Sequence, residues 1–174
     1  MLVGAAMSLL GAQAPAFATP DLTIPAVVCV PGDRPTMENG IKLALTGVVR
    51  RLPGRDPPPH LYFCPVFNPD FTSAQPDWRH LRLMYQDNTA AAGNIVVRLY
   101  AKSRGRLITD PPQGSTAKIG SVSSVPAVGV NLVSAPLPIA LDFQRFSYYL
   151  TLEMVNPFTS PGSVVDTHEV RLSD

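Results

Sequence analysis

The chain has 174 residues, 14 Lys and Arg against 13 Asp and Glu, and a hydrophobic fraction of 45%. That length suits one domain with a sizeable core, and the hydrophobicity excludes a disordered chain. The charge balance argues against a nucleic-acid binder, whose usual footprint is a basic face.

Residues 1–18, MLVGAAMSLLGAQAPAFA, read as a signal peptide. An apolar stretch from Leu2 to about Gly11 precedes Ala16-Phe17-Ala18, which puts small residues at the −3 and −1 positions that signal peptidase accepts. No Lys or Arg opens it, so only the α-amino group supplies positive charge. Cleavage after Ala18 leaves one domain over residues 19–174. The stretch is shorter than the roughly 20 apolar residues of a bilayer span. No later segment reaches that length without charge or proline, so no membrane span is expected in the mature chain.

Nineteen prolines are spread through the sequence. They disfavour long helices and favour short strands joined by turns. Cys29 lies in the apolar run Ala26 to Val30, and Cys64 in Leu61 to Pro65. Two cysteines suit a single disulfide, Cys29–Cys64, in an oxidising compartment. It would close a loop of about 35 residues, a contribution of roughly 3–4 kcal/mol on the chain-entropy model. The alternatives are two buried thiols or half of a metal site, the latter disfavoured because neither cysteine belongs to a CxxC pair.

Ile41, Leu43 and Leu45 alternate with polar or small residues as in a half-buried strand. Arg50 to Pro59 is a loop with three consecutive prolines, read as a rigid connector. Leu61 to Phe67 supplies another strand. From Trp78, the alternation of Leu81, Leu83 and Tyr85, then of Ile95, Val97 and Leu99, then Leu107 to Thr109, predicts a three-stranded antiparallel meander. Weak strands are expected within 115–134. Phe146 to Val155 is a strong strand with Tyr148, Leu150, Leu152 and Met154 on one face, and Val164 to Leu172 is expected to return as its hairpin partner. About eight or nine short strands without a convincing helix predict an all-β, antiparallel β-sandwich of jelly-roll or immunoglobulin-like type. The Cys–Trp–Cys order of immunoglobulin domains is absent, because Trp78 follows both cysteines.

Catalytic motifs are missing. The sequence has no GxSxG elbow, no HExxH helix and no GxxxxGK[ST] loop, so no catalytic residue and no cofactor are assigned. His80 near Asp77, and Asp166 with His168, would supply N and O ligands for a metal if two neighbouring strands brought them together. Ordinary polar residues at strand ends are the plainer reading, and no metal is assigned. Glu153 and Glu169 would face each other across the final hairpin as a carboxylate pair, but a surface Glu beside a basic residue is the plainer account. Asp87-Asn88-Thr89 and Gly93-Asn94 lack the spacing of a calcium loop and fit a sharp turn. The basic runs Arg50-Arg51 with Arg55, and Lys102 to Arg106, read as solvated turn residues.

Aromatic residues are the remaining clue. Trp78, Tyr62, Tyr85, Tyr100, Tyr148 and Tyr149 are candidates to stack on a sugar or form a protein contact, with Trp78, Tyr100 and Tyr149 as the candidate ligand platform; that most aromatics of a sandwich are core is the plainer reading. The expectation is an exported, non-catalytic module of the cell envelope or medium that is structural or binds protein, with an oligomer among its forms. A carbohydrate-binding module is one alternative, and a small metal-dependent hydrolase another. Its partner would be a protein or glycan at the cell surface, not nucleic acid. Outward aromatics gathered on one face would favour sugar; open strand edges would favour assembly.

Overall fold

A computed structural model describes residues 20–32, 41–43, 49–51, 60–68, 75–87, 95–154 and 165–174. Residues 1–18, expected as a signal peptide, the three prolines at 57–59 and residues 88–94, expected as a turn, lie outside the described residues.

Alternating polarity and frequent prolines give strands and little else. Four strands are short: β1 (Leu22–Pro25), β2 (Val30–Pro31), β3 (Ile41–Leu43) and β4 (Val49–Arg51). A single 3₁₀ turn, Ala26–Val28, joins β1 to β2. Seven longer strands carry the fold: β5 (His60–Val66), β6 (His80–Asp87), β7 (Ile95–Ser103), β8 (Thr116–Ser123), β9 (Gly129–Pro136), β10 (Phe146–Met154) and β11 (Val165–Ser173). Among the described residues there is no α-helix.

The strands form two antiparallel sheets. The first runs β3-β4-β11-β6-β9, with β1 also paired to β11; the second runs β2-β5-β10-β7-β8. β4 lies opposite Asp166 and Thr167, and β1 opposite Glu169 to Leu172, so the two short strands lie end to end along one side of β11. The all-β sandwich expected from the sequence is the fold observed.

The pairings decide between the two expected types. β7 pairs β8, β6 pairs β9, β5 pairs β10 and β4 pairs β11. These are the rungs of one long antiparallel ribbon whose tip is the β7–β8 turn. Rolling that ribbon sends alternate rungs into opposite sheets and creates two further pairings, β11 with β6 and β10 with β7. The result is a jelly roll.

Rolling also corrects several local expectations. β6 and β7 belong to different sheets, so the three-stranded meander does not form. Leu107 to Thr109 is a turn rather than a strand, with Ile108 fully exposed. β10 and β11 likewise sit in different sheets, so they make no terminal hairpin, and Glu153 and Glu169 do not face each other. The stretch expected as one strand from Ile41 holds two, β3 and β4, paired antiparallel with Ile41 opposite Arg51.

The core lies between the sheets. Leu81, Leu83, Val170 and Leu172 face inward from the first, and Cys64, Val97, Leu99, Leu150 and Leu152 from the second, all buried. In β11 the parity changes partway, because the register slips between Thr167 and Glu169. This bulge at His168 lets both Thr167 and Val170 face the core and turns Glu169 and Arg171 outward.

Outside the core, one ion pair ties the loop after β7 to the start of β10. Asp110 Oδ1 accepts from Arg145 Nε at 2.7 Å, and Asp110 Oδ2 accepts from the Leu107 amide at 3.0 Å. Desolvation pushes the Asp110 carboxyl up, but the Leu107 amide and the Arg145 guanidinium outweigh it and hold the group below its ordinary value. A depressed carboxylate adds stability at neutral pH that is lost as pH falls through the folded-state value. Asp110→Asn is therefore expected to flatten the acid side of the stability–pH profile. An unchanged acid slope in urea titrations between about pH 5 and pH 2 would remove this pair from the account.

Candidate ligand-binding site

Strand alternation sends every second residue of the second sheet away from the core. In β7 these are Val96, Arg98, Tyr100 and Lys102; in β10, Tyr149, Thr151 and Glu153; in β5, Phe63 and Pro65. The register then sets neighbours. Tyr149 lies between Tyr100 on β7 and Pro65 on β5, and Thr151 lies between Arg98 and Phe63.

Three aromatic rings gather on this outer face as a result. The rings of Tyr100 and Tyr149 are stacked, with centroids 5.2 Å apart and planes within 10°. Phe63 lies on the other side of Tyr149, 6.0 Å away and tilted by 50°. Both spacings suit attractive ring–ring packing. Glu153 and Arg98 form an ion pair beside the row. The space for Phe63 depends on Gly32, since a Cβ there would stand 2.5 Å from the ring's Cε2. Gly32 also donates its amide to the Leu61 carbonyl at 2.8 Å, which holds the chain end of β2 against β5.

Across this face runs an open groove of about 520 Å³. Its lining comes from the 3₁₀ turn (Val28), β2 (Val30), β5 (Phe63, Cys64, Pro65), β10 (Tyr149), β7 (Lys102) and β8 (Thr116). It therefore crosses all five strands of the sheet, and five strands spaced about 4.8 Å apart make a path of roughly 19 Å. Val30 is 59% exposed and Phe63 37%. One end of the groove is apolar, and the other holds a lysine and a threonine.

The disulfide supports the apolar end. Cys29 is bonded to Cys64. It anchors the crossing from β1 in the first sheet to β2 in the second, and with it Val28 and Val30.

The expected platform is corrected at one residue of three. Trp78 is fully buried, its indole N–H donates to the Pro20 carbonyl at 3.0 Å, and Phe143 meets it edge-on. It is a core residue. Tyr62, Tyr85 and Tyr148 are buried as well, while Tyr100 and Tyr149 lie on one face. Phe63 was not singled out by sequence, and Lys102, expected as a solvated turn residue, lies instead within β7. Phe63 shares a strand face with Pro65, and Lys102 shares one with Tyr100, but the pairing of β5, β10 and β7 is needed to bring them together.

The metal candidates are kept apart. His80 lies opposite Ser173, and Asp166 opposite Gln86, at the two ends of the β6–β11 ladder. Six residue steps along β6 amount to roughly 20 Å. The bulge at His168 also breaks the alternation that would have aligned it with Asp166. Among the described residues no cluster of three or more His, Cys, Asp and Glu side chains occurs, and no helix is long and apolar enough to cross a membrane.

No protein-family model matches the chain, and no curated protein matches it in sequence. Solved structures similar to it include a low-affinity xylan-binding module from the gut symbiont Roseburia intestinalis, at 8% identity and a TM-score of 0.42, covering 88% of this chain and 95% of that one. A second is the family 11 carbohydrate-binding module of Clostridium thermocellum in complex with a mixed-linked tetrasaccharide, at 14% identity and 0.38, covering 77% of this chain and 80% of that one. A third is the catalytic domain of Agl-KA, at 8% and 0.46, where the match covers 90% of this chain and 28% of that one.

Proposed function

We propose that this chain is an exported, non-catalytic binding module that takes a glycan in the groove across its second sheet. One observation carries the proposal: Tyr100, Tyr149 and Phe63 stand in a row on a solvent-facing sheet surface, along a groove that crosses every strand. A sugar ring presents an apolar C–H face and a rim of hydroxyls. An aromatic row offers the matching apolar surface, and Thr116, Lys102 and the Arg98–Glu153 pair offer polar partners at its margin. Export through residues 1–18 is part of the proposal, and the Cys29–Cys64 bond supports an oxidising destination.

Affinity electrophoresis and calorimetry against a panel of soluble oligosaccharides test this reading. Tyr149→Ala is expected to weaken binding at least tenfold, about 1.4 kcal/mol, while the far-UV spectrum stays unchanged. Binding that survives both Tyr100→Ala and Tyr149→Ala would place the ligand elsewhere.

A second reading rests on β9. This strand closes one side of the first sheet, and among the described residues it pairs only with β6. Val130 and Leu132 are each 59% exposed, and no charged residue occurs between Lys118 and Asp142. Such an edge invites strand addition by a second copy, although Pro136 blunts one end. Light scattering over a concentration series separates the two readings: a monomer at all concentrations removes assembly through β9.

A further inference from the structure

The two ends of the groove differ in chemistry, and the difference points to a class of ligand. At the β2–β5 end the lining is Val28, Val30, Phe63 and Pro65. At the β7–β8 end it is Lys102 and Thr116, and further cations stand close by. Lys118 lies directly opposite Tyr100 in the β7–β8 register. Arg104 donates from Nε to Ser147 Oγ at 3.0 Å, and Ser147 is the cross-strand partner of Lys102. Lys102 and Lys118 are exposed. Among the described residues neither has an acidic partner, whereas Arg98, Arg145 and Arg171 are each paired with a carboxylate.

Among the described residues, Lys102, Lys118 and Arg104 thus stand toward one end of the aromatic row, and no ion pair sets a carboxylate against any of them. Like charges so placed repel one another, which an anionic ligand would relieve. On this basis, and resting on the glycan-binding reading above, we propose that the ligand is an anionic glycan. Its sugar face lies on Tyr149 and Phe63, and its carboxylate or sulfate groups meet Lys102, Lys118 and Arg104. A lysine ammonium forms charge-assisted hydrogen bonds with such groups, and these are stronger than bonds to neutral hydroxyls. Single-stranded nucleic acid also combines stacking with phosphate contacts. The disulfide favours a ligand met outside the cell, so the inference commits to the glycan.

The test compares polygalacturonate with its methyl ester, which keeps the sugar backbone and removes the charge. Alginate oligomers, a sulfated glycan, neutral xylan and mixed-linked glucan oligomers, and an oligo-dT strand complete the panel. At least one acidic glycan is expected to bind, with its affinity falling as salt rises from about 50 to 500 mM. Lys102→Gln and Lys118→Gln are each expected to weaken that binding roughly tenfold at low salt. Both side chains are exposed, so the fold should be unaffected, and Lys42→Gln, outside the second sheet, is the control. Carboxylated and sulfated probes tell which anion is preferred.

Neutral glycans binding as well as acidic ones, with no effect of either lysine variant, would overturn the inference and leave the glycan reading intact. Failure of every glycan to bind would overturn both. Binding of oligo-dT as tight as that of any glycan would transfer the site to nucleic acid.

Discussion

Trp78→Ala is expected to lower stability by about 3–5 kcal/mol, the range for truncating a large core aromatic. The chain has a single Trp, and it is fully buried, set edge-on to Phe143 with centroids 6.2 Å apart, with its N–H on the Pro20 carbonyl. Truncation would open a cavity and also leave that carbonyl without its donor. The neighbouring backbone would feel the loss. Arg79 donates its amide to the Ser173 carbonyl at 2.7 Å and accepts from the Leu137 amide at 2.6 Å, so Trp78 stands at a junction of three chain segments. Trp78→Phe separates the two effects. It keeps much of the apolar contact and loses only the hydrogen bond, and should cost less than the Ala variant, with about 1–2 kcal/mol from the bond. Circular dichroism against urea reads both, because the variants lack the indole fluorophore. Glycan binding by whatever fraction remains folded should be unchanged. A loss below about 1 kcal/mol for Trp78→Ala would return Trp78 to the surface and reopen it as a ligand residue.

The misplacement of Trp78 shows what the sequence can and cannot reveal here. Its immediate neighbours, Pro76, Asp77, Arg79 and His80, make it look like a surface aromatic at a strand start. Burial comes instead from distant segments: Pro20 at the head of the described chain and Phe143 before β10. Local alternation, by contrast, is legible in the long unbroken strands. The inward sets in β6, β7 and β10 are those that the period-two pattern assigns, because each of these strands has one face on the core and one outside. The pairing of strands was not legible. From β4 onward the jelly roll places consecutive strands in opposite sheets except at the β7–β8 tip, so reading neighbours as hairpins fails at β6–β7 and at β10–β11. The candidate site follows the same division. Tyr149 could be assigned an outward face once Leu150 and Leu152 were core. Its meeting with Phe63, a strand-order neighbour some 86 positions away, depends on β5 and β10 being two rungs from the tip of a rolled ribbon.

The β11 bulge teaches a related point. An unbroken strand from Val165 to Ser173 would put Asp166 and His168 on the same face as Val170 and Leu172. The single inserted residue resolves the conflict between polar and apolar halves, and in doing so separates the pair that had suggested a metal. No composition signal marks a bulge of this kind, because its cause is the demand that both halves of β11 bury their apolar or neutral residues against β6.

The disulfide is the second large term. Removing it in the Cys29→Ala, Cys64→Ala double variant is expected to cost roughly 3–4 kcal/mol, from the loop-closure entropy of a 35-residue separation. The double variant avoids leaving a lone thiol, and comparison with reduced wild-type protein separates the cross-link from the sulfur atoms' packing. If the entropy of the unfolded chain is the source, the reduced protein and the double variant should have similar urea midpoints, both well below that of the oxidised form. The loss should also reach the binding face. β2 is only two residues long and joins β5 through Val30 and Pro31, so the bond to Cys64 is its main tether. Freed from it, Val28 and Val30 would no longer hold the apolar end of the groove. Glycan affinity is therefore expected to fall on reduction even under conditions where the sandwich stays folded, and to fall less for ligands held mainly by Lys102 and Lys118. Equal urea midpoints for oxidised and reduced protein would mean that the strand pairing of β1 and β2 alone fixes this segment. Unchanged affinity on reduction would move the ligand's apolar contact off Val28 and Val30 and onto Tyr149 and Tyr100.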